Sequence, residues 1–297
     1  MKKFFAFIKI LSLCMSATAQ PLQHVMQRSS INVAAMSELE NLQAFLCGQQ
    51  SFAGFEGAPR NVWLNVASPM TGLSQISDMY SSKSRRSDGL IRHFVGGTIA
   101  HESYGVHSKF RATVAYNYRL LVSESATITL GLGAGMKTIS SDYGQWDPEA
   151  SVFSKKETLL AMQLGARLEM DRLSIAAFSN DSEYSGEVVW GRLWEENSRH
   201  IVARNETWRA QFSATVRHDH STQTNTFGIS ANTVYKDGLG VGMSYETEKN
   251  LSINIHVRVM RVMRIGYAYQ LLHLNPLAPK REIVVRYGTG KNKERWY

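Results

Sequence analysis

Two short clusters in this chain carry residue types that could do chemistry. Gly131-Leu132-Gly133-Ala134-Gly135 has part of the spacing of a dinucleotide loop, where glycines let the backbone approach a pyrophosphate. That chemistry needs a strand before the loop and a helix after it. Here the glycines fall at every second residue of a longer alternating run. They read instead as a face left bare for close packing inside a barrel, or as room for a plug. His218-Asp219-His220 offers two imidazoles to a metal, but no third ligand stands at metal-site spacing, so it reads as a turn between strands. His101-Glu102 lacks metalloprotease spacing. Neither a Gly-x-Ser-x-Gly elbow nor a phosphate loop ending in Gly-Lys-Ser or Gly-Lys-Thr is present. The expectation is a non-enzymatic protein with no cofactor and no metal.

A third set is larger. Arg111, Arg119, Arg167, Arg209, Arg217, Arg258, Arg264 and Arg286 recur within otherwise oily segments, together with Glu169, Glu246 and Glu282. A pI near 9.4 is compatible with nucleic-acid binding, yet these residues are spread along the chain and form no basic patch, so no nucleic acid is expected.

The elements that must position these side chains alternate with a period of two. Phe110, Ala112, Val114, Tyr116, Tyr118 and Leu120 are set against Arg111, Thr113, Ala115, Asn117 and Arg119. Ala126 to Met136, Leu160 to Met170, Trp208 to Val216, Phe227 to Tyr235, Leu251 to Val259 and Met263 to Leu271 repeat the pattern. Successive strand side chains point to opposite faces, so each segment has one oily and one polar face. Segments of about ten residues cross a bilayer when tilted. Short hairpin turns such as Lys236-Asp237-Gly238 join them. The fold expected is an all-β, antiparallel, up-and-down transmembrane barrel of about fourteen strands, with twelve to sixteen open. Weaker strand candidates lie at 40–50, 59–68, 91–101 and 184–194, and long connections at 69–90 and 140–156.

On that frame the arginines gain a direction. One charge on the lipid face would cost about 2–4 kcal/mol near the midplane, so they should line the lumen. Two readings follow: a lumen closed by Arg–Glu pairs and water, or an anion-selective pore. Tyr116, Tyr118, Trp208, Tyr235, Tyr245, Tyr267, Tyr269 and Tyr287 fall on the oily face, mostly near strand ends, as interfacial aromatic girdles do.

The N-terminus reads as a secretory signal over 1–19. Lys2, Lys3 and Lys9 are followed or flanked by apolar residues, and Ala17-Thr18-Ala19 is a cleavage site. Its removal takes away three lysines and no acid, lowering the formal charge from +8 to +5. A lipoprotein reading at Cys14 needs a small residue where Leu13 stands. Cys47 then remains alone and reads as a small apolar strand residue. Residues 20–288 would form an outer-membrane barrel and 289–297 a basic tail.

Ser51-Phe52-Ala53-Gly54-Phe55-Glu56-Gly57-Ala58-Pro59-Arg60, followed by Val62-Trp63-Leu64-Asn65-Val66 and Ser68-Pro69, resembles the N-terminal signature of the PorP/SprF family. These are outer-membrane proteins of the type IX secretion system of Bacteroidetes. Asn32 and Ala34 stand where the family has an Asn-Pro-Ala-Tyr-Ala-Gly element, with Val33 in place of its proline. Arg264-Ile265-Gly266-Tyr267 and Arg281-Glu282-Ile283-Val284-Val285-Arg286-Tyr287 resemble its closing strands. The resemblance implies export or surface anchoring of adhesin-like cargo and contact with periplasmic ring and motor proteins. By the same resemblance, Gly54, Phe55, Glu56, Gly57, Ala58 and Pro59 are partner-contact candidates, against a plain strand-entry turn. From a different class, a solute channel or hydrophobic-substrate transporter also fits the barrel.

Overall fold

A computed structural model describes residues 32–38, 42–51, 57–70, 93–123, 126–143, 154–170, 173–181, 183–191, 208–220, 223–236, 238–247, 250–260, 262–272 and 280–288. Fourteen antiparallel strands close into one barrel. In order they are β1 (Gln43–Ser51), β2 (Arg60–Pro69), β3 (His93–Tyr104), β4 (His107–Leu121), β5 (Ala126–Ser141), β6 (Lys155–Met170) and β7 (Leu173–Asn180). There follow β8 (Glu183–Gly191), β9 (Trp208–Asp219), β10 (Thr224–Tyr235), β11 (Leu239–Glu246), β12 (Asn250–Met260), β13 (Met263–Leu272) and β14 (Lys280–Gly288). Each strand pairs with its neighbours in sequence, and β1 pairs with β14 to seal the sheet. Gln43, where β1 starts, and Gly288, where β14 ends, therefore lie at one end of the barrel.

The alternation decides which face meets which medium. Outward residues such as Val114, Leu132, Leu160, Ile229 and Ile283 are more than half exposed. Apolar surface costs roughly 25 cal/mol per Å² in water, so this band belongs in hydrocarbon. Near the end where β1 starts, Trp190 packs on Phe212 and Trp208 on Tyr235, with ring centroids 5.8 and 4.8 Å apart. Such amphipathic rings suit the lipid–water boundary.

The first strands break the pattern for a physical reason. Phe45, Cys47, Ala67 and Phe94 alternate inward and are buried. An apolar inner wall there has something apolar to cover. The segment Val33–Glu38, a 3-10 turn, stands inside the barrel against β2 to β7. Val33 and Met36 pack with Ala67, Phe94 and Ala115 in one cluster. Cys47 packs with Val284 and Trp63 in another.

Two expected connections shift. The loop placed at 140–156 is shorter, because β5 runs to Ser141 and β6 starts at Lys155, adding extra rungs to their hairpin. His218 and Asp219 are the last residues of β9, so the turn proper starts only at His220. Most of the 69–90 connection lies outside the described residues, as do the signal over 1–19 and the tail at 289–297.

Candidate functional site

The lumen is the concave site of this molecule, and a short turn occupies its β2 to β7 side. Asn32 shapes the inserted segment: its Oδ1 accepts the Ala34 N–H at 2.9 Å, and its carbonyl accepts the Ala35 N–H at 2.9 Å. That local bond nucleates a tight turn, as Asx side chains do. Asn117 on β4 donates its Nδ2 to the Val33 carbonyl and ties the turn to the wall. Residues Asn32 to Met36 are each at most 5 % exposed.

Glycines make the space. A Cβ on Gly131 would lie 3.0 Å from the Ala34 nitrogen. On Gly165 it would lie 2.8 Å from Asn32 Oδ1 and 2.9 Å from Val33 Cγ1. On Gly96 it would collide with the Met36 sulfur. Three strands thus lack side chains where the inserted backbone presses against them. Gly133 and Gly135 face neighbouring barrel residues instead, Gln163 and Ala115 for the first and the β4 backbone for the second.

The charged side chains surround this plug. Arg111 donates to Asn180 Oδ1 at 2.8 Å and to Asp181 Oδ2 at 2.6 Å, and Lys137 reaches the same Asp181 oxygen at 3.1 Å. Asp181, at the β7–β8 turn with φ of 55°, also accepts the Met162 N–H at 3.0 Å. Arg217 forms an ion pair with Glu183. Arg286 donates Nε and Nη2 to Gln43 Oε1 at 2.9 and 2.6 Å, bridging the sealing seam, and lies 5.2 Å from the Phe45 ring centroid. Arg119 lies 5.0 Å from the Phe94 ring. Arg119 and Arg167 share one row of the inner wall with Thr129 between them, and both are buried. Arg258, Arg264 and Arg286 stand side by side on β12, β13 and β14. Glu282 is fully buried between Ala268 and Gln49. Glu169 lies between Thr127 and Ser174, and Arg209 opposite Val234.

Arg–Glu pairing is therefore only part of what lines the lumen. An aspartate, carboxamides, aromatic faces and the inserted turn share the work. That turn is the functional feature sequence reasoning missed. Its signal was present in Asn32 and Ala34 at the family position and in glycines two residues apart on a polar face.

The signature residues divide. Gly54, Phe55 and Glu56 lie outside the described residues. Gly57 has φ of 71°, a left-handed conformation natural to glycine, and its carbonyl accepts the Gly105 N–H at 2.8 Å. Ala58 is buried, and the Pro59 carbonyl accepts the Ser51 N–H at 3.0 Å as β2 begins. The turn joins β1 to β2, so it lies at the barrel end opposite the start of β1 and the end of β14. His218 Nδ1 lies 2.9 Å from Asn225 Oδ1, and no group of three metal-ligating side chains occurs among the described residues.

Known proteins place this geometry. The family model described as type IX secretion system membrane protein PorP/SprF matches residues 22–287. No curated protein matches the chain. Among solved structures, the Acinetobacter baumannii outer membrane protein Omp33 is similar at a TM-score of 0.50 and 7 % identity, covering 84 % of this chain and 99 % of that one. The CymD monoaromatic hydrocarbon channel is similar at 0.49 and 10 %, covering 89 % and 91 %. At such identities the likeness is one of fold, that of outer-membrane barrels.

Proposed function

This chain belongs to the PorP/SprF family of type IX secretion system membrane proteins, and we propose that it is a non-enzymatic outer-membrane component assisting export or surface anchoring of adhesin-like proteins. In this reading it docks periplasmic ring and motor components at one rim. The observation that carries it is the turn inserted in the lumen against β2 to β7. Asn32 to Met36 sit in a glycine-lined cradle, tied by Asn117, and leave partners the rims rather than a conduit. A secretory signal cleaved near Ala19 puts the chain ends in the periplasm, and Gly54 to Pro59 then meet partners or cargo on the outer side. Deleting the gene and comparing surface and secreted proteomes tests this. Loss of proteins that carry a C-terminal secretion domain is the expected result, and an unchanged set defeats the proposal. The purified protein should be silent in planar bilayers. Steady anion-selective currents would instead favour a solute channel.

A further inference from the structure

The rim opposite the start of β1 is uneven. β6 pairs with β5 along its full length, Lys155 to Met170, but with β7 only from Gln163 to Met170. The short β7–β8 hairpin turns at Asp181, so among the described residues the upper half of β6 has no strand on its β7 side. The backbone direction there is fixed by its last partner. Met162 donates its N–H to Asp181 Oδ1 at 3.0 Å, and its carbonyl accepts the Asp181 N–H at 3.0 Å. Both groups of Met162 thus point toward β7. In an antiparallel ladder these directions alternate residue by residue. The β5–β6 register runs without a shift, so Leu160, Thr158 and Lys156 turn both backbone groups the same way. Residues 154 to 160 are all exposed, and no strand covers that side among the described residues. Even Leu159, whose side chain points inward, is 40 % exposed, because the missing strand opens the wall beside it.

An unpaired strand edge is a template for a further strand. We propose that residues 155–161 of β6 form a strand-addition site for an extended polypeptide, running antiparallel to β6 and in line with β7 above its turn. Main-chain hydrogen bonds from Lys156, Thr158 and Leu160 would hold it. Charge sets a preference. Glu157 is paired with Lys155 at 3.4 Å, while Lys156 faces the uncharged Ser140 on β5. An acidic residue on the added strand beside Lys156 completes that rung. The inference rests on the strand ladder alone and stands apart from the secretion reading.

The test uses the full chain in detergent micelles and a fluorescein-labelled seven-residue peptide of alternating threonine and valine with glutamate at its sixth position, opposite Lys156. Anisotropy should show saturable binding. Thr158→Pro and Leu160→Pro remove only N–H groups that point into the gap, so the barrel keeps its heat-modifiable gel migration while affinity falls at least tenfold. Methylating alternate amides of the peptide, which leaves the protein untouched, should weaken binding equally. No saturable binding, or binding indifferent to both prolines and to methylation, overturns the proposal.

Discussion

At the residue scale, absence of a side chain is the decisive property of Gly131 and Gly165. Their inner face was legible as bare from the two-residue spacing, but what pressed against it was not, because the occupant comes from residues about a hundred positions away and carries no periodicity. Gly165→Leu would place a branched side chain where Asn32 and Val33 now lie. Overpacking of this kind costs about 1–3 kcal/mol. The expected result is a lower heat-modification temperature together with new bilayer currents as the turn is expelled. Asp181 is the second residue of consequence, since it balances both Arg111 and Lys137. Asp181→Asn keeps the shape and removes the charge, and a loss of about 2 kcal/mol in urea unfolding is expected. An equal loss in a variant that also carries Arg111→Gln would show that the coupling lies elsewhere.

At the element scale, the strands divide by what covers their inner face. From β4 onward, lumen positions are mostly polar or small, with Val189, Val234 and Val284 as buried exceptions, and the alternation identifies the strands from sequence alone. The wall from β1 to β3 is lined by Phe45, Cys47, Ala67 and Phe94, and apolar residues on both faces erase the period-two signal. The segment Asn32 to Met36 supplies the reason for Ala67 and Phe94, as Val284 on β14 does for Cys47, and a chain read residue by residue cannot show either, because both contacts join residues far apart in sequence. Replacing Asn32 to Met36 by Gly and Ser should leave a closed sheet, since no strand of the ladder includes them. The barrel should still migrate as heat-modifiable on gels, while Phe94 becomes solvent-accessible and ion current appears. A variant that fails to close at all would show instead that the turn is part of the barrel's own stability.

At the scale of the whole molecule, the outer band is uniform. Leu164 lies in it, over half exposed, near the middle of β6. Leu164→Arg should cost about 2–4 kcal/mol of folding free energy in lipid vesicles, whereas the same change at Gln163, on the lumen side, should cost far less from hydration. Alternation alone sends these side chains outward, whereas the order of assembly depends on the seam. Gln43 and Arg286, which meet across it, are 243 residues apart, and the inserted turn comes before both. Contacts of such separation form late, because loop closure must be completed before they contribute. The first residues of the plug are thus made before any wall exists, and the last strand is made after every other wall is in place. The turn's contacts are with β2 to β7, so its seat is complete before the β1–β14 seam closes. A half-built trough of these strands therefore already offers the plug its place before the rim is sealed.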